Sequence, residues 1–438
     1  MKQDVSRHHG LAGLRDSPNV ALTILFIVAL FNYLDRSLLS ILQIPIKQKL
    51  GLSDTQLGAL TGFSFAILYA GAAVPIAMLV DRKKRTFLMA GGLTLWTTMT
   101  ALTGLAGGFI SLAILRMGVA LGEAVSVPAT HSLLSDKFPF ERRGRAFSIW
   151  ALASPVGVTA GIALGGWLSD HLEWRESFLF IGLAGFAMVP LLLFLREPQR
   201  GRFERQAGSE PPLSISFRAG CRYLWNRKSF RLLVIAATLH SYSYQAVMIW
   251  MPPFLARSHD LSMTQIAIWS AIMVGLGGGI GALAGGQLID RLVTRDIRSY
   301  AWAPGIATFI LVPFAGVQYL ASSLSITLAA GFFSLIAASF FIAPVNALAQ
   351  SMVQANLRGL TSAILLVFPT GIGLGLGPLL TGGCSDLFVA ITGNAELSLR
   401  LALILALSGS LIASVFFWRL GVRLGEENET VMKNPGKA

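Results

Sequence analysis

Long apolar stretches separated by short polar segments dominate the chain. Each is about 20 residues long, the length an α-helix needs to cross the hydrocarbon core of a bilayer. Because backbone groups in lipid must be hydrogen-bonded within the segment, and the stretches are far too long for barrel strands, we predict an all-α membrane protein with twelve transmembrane helices. The stretches begin near Val20, Gln56, Thr86, Ile110, Arg145, Ser177, Ser229, Thr264, Ser299, Leu324, Gly359 and Leu399.

A basic segment rich in Pro, Gly and Ser interrupts this pattern at residues 196–228. It is too polar to enter hydrocarbon, so it divides the chain into two six-helix bundles. We predict an N-terminal bundle at 1–195, a cytoplasmic linker at 196–228, and a C-terminal bundle with a cytoplasmic tail at 229–438. The halves also repeat each other, since AMLVDRKKR at 77–85 corresponds to GQLIDRLVTR at 286–295.

Composition supports a lipid-facing exterior. The 438 residues are 54% hydrophobic and only 13% charged, whereas a soluble chain usually carries about 25% charged residues. The net charge of +13 comes from basic residues clustered in short loops such as DRKKR (81–85), ERRGR (141–145) and RLVTRDIR (291–298). This distribution fits the positive-inside rule and places both termini in the cytoplasm, so we expect no nucleic-acid partner.

Ionisable residues inside two apolar stretches are the strongest candidates for function. Asp35 and Arg36 lie in the first stretch, and Arg116 and Glu123 lie in the fourth. A charge at mid-membrane costs several kcal/mol unless it is paired or hydrated, so such residues normally face a cavity. The alternative is a static salt bridge that only pins two helices. Our hypothesis is that Asp35 and Glu123 compete for Arg36, and that protonation of an acid releases the arginine toward substrate.

Further polar residues extend this hypothesis. His131, about two turns beyond Glu123, is a candidate proton relay; the alternative is a hydrogen-bonded interfacial residue. The seventh stretch contains LHSYSYQ (239–245), which either lines a cavity or packs against other helices through polar contacts. Arginine suits a phosphate or carboxylate group. The candidate substrate-binding residues are Arg36, Arg116, Tyr242, Tyr244, Gln245 and Asn346.

Several other classes of function are excluded or unsupported. The chain has no G-x-x-x-x-G-K-[ST] loop, no H-E-x-x-H and no G-x-S-x-G, so we expect neither an ATP-driven pump nor an enzyme, and no catalytic residue. Cys221 and Cys384 suggest neither a metal site nor a disulfide, and no cofactor is expected. Small residues spaced by four, such as Gly157 and Gly161, predict close helix packing.

These motifs resemble the major facilitator superfamily along nearly the whole chain. The loop after the second helix is similar to its G-x-x-x-D-R-x-x-R/K signature, with Ala77 in place of the first glycine, and the second copy keeps Gly286. The resemblance implies two six-helix bundles with substrate bound near mid-membrane. It also implies gating or structural roles for Asp81, Arg82, Arg85, Asp290 and Arg291.

Within that superfamily the chain most resembles the spinster-like family. The similar segments are FNYLDR (31–36), LGLSDTQLGALTGFSFAILYA (50–70), RMGVALGEA (116–124) and HSLLSDKFPFERRGRAFSIW (131–150). The resemblance implies a protein of a bacterial inner membrane, working as a monomer with protons, membrane lipids and a substrate as partners. It also implies proton-coupled transport of a lysophospholipid or a sphingosine-phosphate-like lipid. Because organic-anion symporters of the same superfamily contain a motif similar to NYLDR, a small organic anion is the alternative substrate.

Overall fold

A computed structural model of the chain describes residues 11–200, 217–353 and 357–433. Part of the predicted linker, 201–216, and the last residues of the predicted tail, 434–438, lie outside the described residues. The helices before the linker are α1 (Leu11–Asp16), α2 (Pro18–Leu50), α3 (Asp54–Gly58), α4 (Ser64–Arg82), α5 (Arg85–Thr103), α6 (Phe109–Glu123), α7 (Ser126–Lys137), α8 (Phe140–Ala151), α9 (Ala153–His171), α10 (Trp174–Phe186) and α11 (Val189–Phe194).

The helices after it are α12 (Phe217–Asn226), α13 (Lys228–Ser258), α14 (Met263–Ala271), α15 (Gly278–Leu292), α16 (Ser299–Leu320), α17 (Leu324–Ser339), α18 (Ile342–Ser351), α19 (Arg358–Leu365), α20 (Gly373–Thr392), α21 (Ala395–Ala406) and α22 (Ser408–Lys433). In the described chain, the π-helical segments Ala59–Phe63, Ile272–Gly277 and Leu366–Ile372 join consecutive α-helices into longer spans.

The predicted all-α membrane fold is confirmed. Eleven helical segments of the described chain are long and apolar enough to cross a bilayer. They are Pro18–Leu50, Asp54–Ala73, Phe109–Lys137, Glu141–His171, Trp174–Phe194, Lys228–Ser258, Met263–Leu292, Ser299–Leu320, Leu324–Ser351, Gly359–Thr392 and Ala395–Glu427. The remaining predicted span is α5, a helix of 19 residues.

Threonines make α5 less apolar than the other spans. The hydroxyls of Thr94, Thr97 and Thr98 each donate to the backbone carbonyl four residues earlier, at 2.9, 2.8 and 2.6 Å. Such back-bonding satisfies a hydroxyl within its own helix. Thr100 differs from them, since its hydroxyl donates to a side chain of another helix.

The described residues group into two compact units. Unit 1 contains the described residues of Met1–Ser37, Gly71–Gly161 and Leu172–Pro211, and unit 2 those of Leu38–Ala70, Ile162–His171 and Pro212–Ala438. Helices α2, α4 and α9 therefore each contribute residues to both units. The division into functional bundles at 1–195 and 229–438 stays a prediction.

Glycines allow close helix approach within unit 1. A Cβ on Gly122 of α6 would lie 2.6 Å from the carbonyl oxygen of Gly92 of α5, and one on Gly92 would lie 2.6 Å from that of Gly122. A Cβ on Gly157 would lie 2.5 Å from the carbonyl oxygen of Leu30, so α9 approaches α2 equally closely. The predicted role of Gly157 in close helix packing is confirmed, and α5 and α6 meet directly beside Glu123.

Candidate functional site

Four ionisable side chains form a cluster inside unit 1, within the membrane-length spans that carry them. Asp35 and Arg36 belong to α2, and Arg116 and Glu123 to α6. Asp35, Arg116 and Glu123 are 0%, 2% and 1% exposed. The cluster holds two acids and two arginines, so its formal charges balance.

Arg36 binds Glu123 directly. Its Nη2 and Nε donate to Oε2 of Glu123 at 2.6 and 3.2 Å, and its guanidinium lies 5.7 Å from the centre of the Tyr33 ring. The Arg36 side chain is 25% exposed, whereas that of Glu123 is 0% exposed. One partner is therefore buried, and the other can reach solvent or a ligand.

Asp35 has a different environment from Glu123. Its Oδ2 accepts a hydrogen bond of 2.8 Å from Thr100 of α5, and Arg116 is near enough to attract both Asp35 and Glu123. The Oδ1 of Asp35 and the Oε1 of Glu123 are buried and accept no hydrogen bond from the described residues. Each carboxylate therefore has one satisfied oxygen and one bare oxygen, and a bare buried acceptor is costly.

A separate cavity lies within unit 2. It has a volume of about 330 Å³, and its lining includes Tyr244, Gln245 and Asn346 from the sequence prediction. Ser241, Ser362 and Thr370 add hydroxyl groups to the lining, with apolar residues between them. Tyr242 is not among the lining residues, and its backbone carbonyl packs against Gly377 of α20. Sequence reasoning singled out neither Ser362 nor Thr370, because an isolated Ser or Thr in an apolar helix carries no distinctive signal.

His131 lies where α7 packs against α8. Its exposed ring packs edge-on against Phe147 and Trp150, with ring centroids 5.1 and 5.0 Å away. This geometry favours aromatic packing but does not test the relay, which stays a hypothesis.

The residues of the two D-R signatures differ in environment. The side chains of Asp81, Arg82, Asp290 and Arg291 are exposed, whereas Arg85 is completely buried. Arg85 of α5 donates to Asp136 of α7, to Oε1 of Glu197 at 2.7 Å and to Ser132 at 2.7 Å. Thus α5, α7 and the segment after α11 meet on one guanidinium group.

Glu197 is one of the residues that Arg85 binds, and the sequence did not indicate its role. Its Oε2 accepts from the amide and the hydroxyl of Thr86, both at 3.1 Å. Burial alone raises the pKa of Glu197, but hydrogen bonds from Arg85 and Thr86 outweigh it and hold the pKa below its ordinary value of 4.5. Nearby, Arg200 donates to the carbonyls of Val80 and Lys83 at 2.7 and 2.6 Å, so the start of the predicted linker is tied to the end of α4.

A second charged cluster, in unit 2, was also missed. Lys47 and Arg257 both bind the carboxylate of Asp54. Lys47 and Asp54 frame the break between α2 and α3, and Arg257 lies in the last turn of α13. Charges beside helix ends look like ordinary solvated residues in sequence, so only the fold brings these three together.

The described residues contain no group of three or more His, Cys, Asp or Glu side chains placed to hold a metal ion. Cys221 and Cys384 are both free thiols.

Comparison with known proteins gives matches along most of the chain. Residues 25–378 match the model of the Major Facilitator Superfamily. An MFS-type efflux pump of Mycolicibacterium smegmatis is 32% identical over 404 residues, which cover 92% of this chain and 92% of that protein. A probable L-galactonate transporter of Escherichia coli is 28% identical over 284 residues, 62% of each chain.

A solved structure is also similar over nearly its full length. It is the crystal structure of a bacterial homolog of the human lysosomal transporter spinster, in an inward-facing and unoccupied conformation. The TM-score is 0.84 with 26% sequence identity, and the match covers 94% of this chain and 98% of that chain.

Proposed function

We infer that this chain, which belongs to the Major Facilitator Superfamily and is an integral membrane transporter rather than an enzyme, moves an anionic amphipathic lipid. We propose that it does so by proton-coupled alternating access. The substrate class we propose is a lysophospholipid or a sphingosine-phosphate-like lipid. We place the protein, as a monomer, in a bacterial inner membrane with both termini in the cytoplasm.

The observation that carries this proposal is the pairing within the buried cluster. Arg36 is bound to Glu123 while Asp35, its neighbour in sequence, keeps one bare buried oxygen. A proton on that oxygen would neutralise a buried carboxylate of which one oxygen accepts no hydrogen bond from the described residues, and so would lower the cost of burying it. Asp35 and Glu123 are therefore well suited to exchange a proton, and Arg36 to change partner when they do.

The mechanism has two steps. First, a proton on Glu123 weakens its ion pair with Arg36, because a neutral carboxyl no longer attracts the guanidinium by charge. Second, the released guanidinium binds the anionic headgroup of the substrate in its fixed fork. Loss of the proton restores the Arg36–Glu123 pair and displaces the headgroup. Arg116 contributes a second positive charge, and His131 is the proposed relay to the cytoplasm.

The cavity in unit 2 supports an amphipathic substrate. Tyr244, Gln245 and Asn346 supply uncharged hydrogen-bonding groups, and Phe341 and Leu365 supply apolar surface in the same lining. We propose that Tyr244, Gln245 and Asn346 contact the substrate in this cavity. Tyr242 would act only through the packing of α13 against α20.

The D-R signatures are proposed to act in gating. Arg85 is the most constrained of this group, since it connects three segments of unit 1. We propose that it holds those segments as one body during transport. Asp81, Arg82, Asp290 and Arg291, whose side chains are exposed, are proposed to form contacts in another state of the transport cycle.

A small organic anion is the alternative substrate. The similarity to a probable L-galactonate transporter favours it, because a sugar acid also presents a carboxylate to Arg36. The same proton step then applies without a lipid tail.

Flux into proteoliposomes tests the proposal. Liposomes with an imposed pH gradient should accumulate or lose a labelled lysophospholipid, and Asp35→Asn and Glu123→Gln proteins should lose the response to the gradient. Glu141→Gln is the matched control, because Glu141 is an exposed acid in the same unit. If both cluster variants respond fully to the gradient, the proton role of the cluster is wrong. Flux of L-galactonate without flux of lysophospholipid would select the alternative substrate.

A further inference from the structure

Charged side chains in unit 2 form a second cluster, separate from the one around Arg36. Asp54, at the start of α3, is 1% exposed. Its carboxylate accepts from Lys47, from the two terminal nitrogens of Arg257 at 2.7 and 2.6 Å, and from the hydroxyl of Ser385 at 2.7 Å. One buried acid is thus shared by two cations.

The position of Asp54 is fixed by a second acid. Asp386 of α20 accepts hydrogen bonds from the backbone amides of Asp54 and Thr55 at 2.9 and 2.7 Å, and from the Thr55 hydroxyl at 2.6 Å. It therefore caps the first turn of α3. The Asp54 carboxylate is held facing Lys47 and Arg257, which remain 32% and 18% exposed.

Lys47 and Arg257 also line a cavity of about 460 Å³. Its polar lining consists of Lys47, Arg257 and the amides Gln43 and Gln48, and none of its lining residues among those described is acidic. The rest of the lining is Gly51 and apolar side chains, including Ile44, Leu52, Leu57 and Pro253. The cavity lining therefore combines cationic and amide side chains with apolar ones.

We propose that this cavity is a binding site for an amphipathic anion, with a phosphate or carboxylate headgroup at Lys47 and Arg257. Asp54 cancels only one of the two positive charges, so this triad carries a formal charge of +1. The ammonium of Lys47 has three N–H donors, of which Asp54 accepts one. The remaining donors and the guanidinium charge suit an anionic oxygen, and the apolar lining residues suit a short hydrocarbon chain.

This site also fits the proposed transport cycle. Its location relative to the membrane rests on the orientation given under the proposed function. With the N-terminus in the cytoplasm, the end of α2 that carries Lys47 lies on the outer side. An anionic substrate that leaves or enters there would meet Lys47 and Arg257. The site therefore represents a second recognition point for the same class of ligand.

Calorimetric titration of purified full-length protein tests the site. All titrations use Arg36→Gln protein, which lacks the main headgroup contact of the cluster around Arg36. Binding of an anionic probe then reports on the cavity at Lys47 and Arg257. The probes are hexyl phosphate, inorganic phosphate and hexanol. We expect hexyl phosphate to bind most tightly, inorganic phosphate more weakly, and hexanol not measurably. Equal affinity for inorganic and hexyl phosphate would identify a free-phosphate site instead of an amphipath site.

Three substitutions should change the affinity for hexyl phosphate in different ways. Lys47→Gln should weaken hexyl phosphate binding about tenfold, the size of one charge-assisted hydrogen bond. Lys49→Gln, the matched control, should change it less than about twofold, because Lys49 lies two residues away and is not part of the lining. Asp54→Asn should tighten binding, because it raises the formal charge of the triad from +1 to +2.

The outcomes separate this site from the transport proposal. Equal effects of Lys47→Gln and Lys49→Gln would overturn the site, even if Asp54→Asn protein fails to fold. Absence of hexyl phosphate binding in the Arg36→Gln background would also overturn it, while leaving proton-driven flux of the otherwise unaltered protein intact. Binding with the expected pattern but no proton-driven flux would support the site and refute the proposed coupling.

Discussion

The ion pair between Arg36 and Glu123 gives the sharpest test of the buried cluster. We consider Glu123→Gln, which keeps the shape of the side chain and removes its charge. In the native protein Glu123 is 1% exposed, and two nitrogens of Arg36 donate to its Oε2 at 2.6 and 3.2 Å. The amide retains an acceptor oxygen, so the change isolates the loss of charge.

The expected energy follows from this geometry. Two unit charges about 4 Å apart attract by about 4 kcal/mol at an effective dielectric constant of about 20. Removing one partner of a buried pair costs about 3–5 kcal/mol. Because the Arg36 side chain is 25% exposed and Asp35 stays nearby to attract it, we expect the lower end, about 3 kcal/mol. The coupling energy between Arg36 and Glu123 should be about 2 kcal/mol.

A double-mutant cycle measures both quantities. Glu123→Gln, Arg36→Gln and the double variant are unfolded reversibly in mixed detergent micelles containing dodecyl sulfate, and tryptophan fluorescence reports the free energy of unfolding. The exposed Glu141→Gln should stay within about 0.5 kcal/mol of the parent protein. A coupling energy below about 0.5 kcal/mol would refute the idea that Arg36 depends on Glu123, and with it the proposed exchange of partners.

Further predictions concern the contacts of unit 1. Arg85→Met should lower the free energy of unfolding by about 3 kcal/mol, because it removes the cation that binds the buried Asp136 and the partly exposed Glu197. Arg85→Lys should restore it only in part, because an ammonium lacks the guanidinium fork. Chemical denaturation checks both. The depressed pKa of Glu197 contributes stability above pH 4.5 that is lost as the pH falls through the folded-state pKa, so thermal unfolding between pH 6 and pH 3 should lose less stability in Glu197→Gln than in the parent. Gly182→Ala should lower the free energy of unfolding by about 1–3 kcal/mol, because the added Cβ would overlap the backbone of Ala101. Gly91→Ala has open space around the added Cβ and should be neutral or slightly stabilising. Equal melting temperatures for the two variants would contradict the packing described.

The hydrophobic pattern was sufficient to predict the fold class. Apolar runs of membrane length have few alternatives to helices, because lipid offers no partner for free backbone groups. The predicted starts near Val20, Ser299 and Leu324 agree with helices beginning at Pro18, Ser299 and Leu324. The charge of Asp35, Arg36, Arg116 and Glu123 inside apolar runs was equally visible, because a buried charge is exceptional in hydrocarbon.

Which of these charges touch each other was decided by tertiary structure. The sequence placed Asp35 and Glu123 in competition for Arg36, but rotation about the helix axis decides contact, and Arg36 binds Glu123. The same rotation directs Thr100 at Asp35 while other threonines of α5 bond to their own helix. Close approach of α5 and α6 at Gly122 depends on the facing residue of the partner helix, which no single segment reveals.

The sequence by itself therefore determined that this protein lies in a lipid bilayer, which segments form its helical spans, and that charged residues lie inside those spans. These properties depend on the composition and length of each segment alone. Tertiary structure decided the partners. Arg85 and Glu197 are separated by 112 residues, and Asp54 and Arg257 by 203. Contacts over such separations arise from helix packing and rotation, so the Lys47–Asp54–Arg257 cluster became apparent only when the helices were assembled.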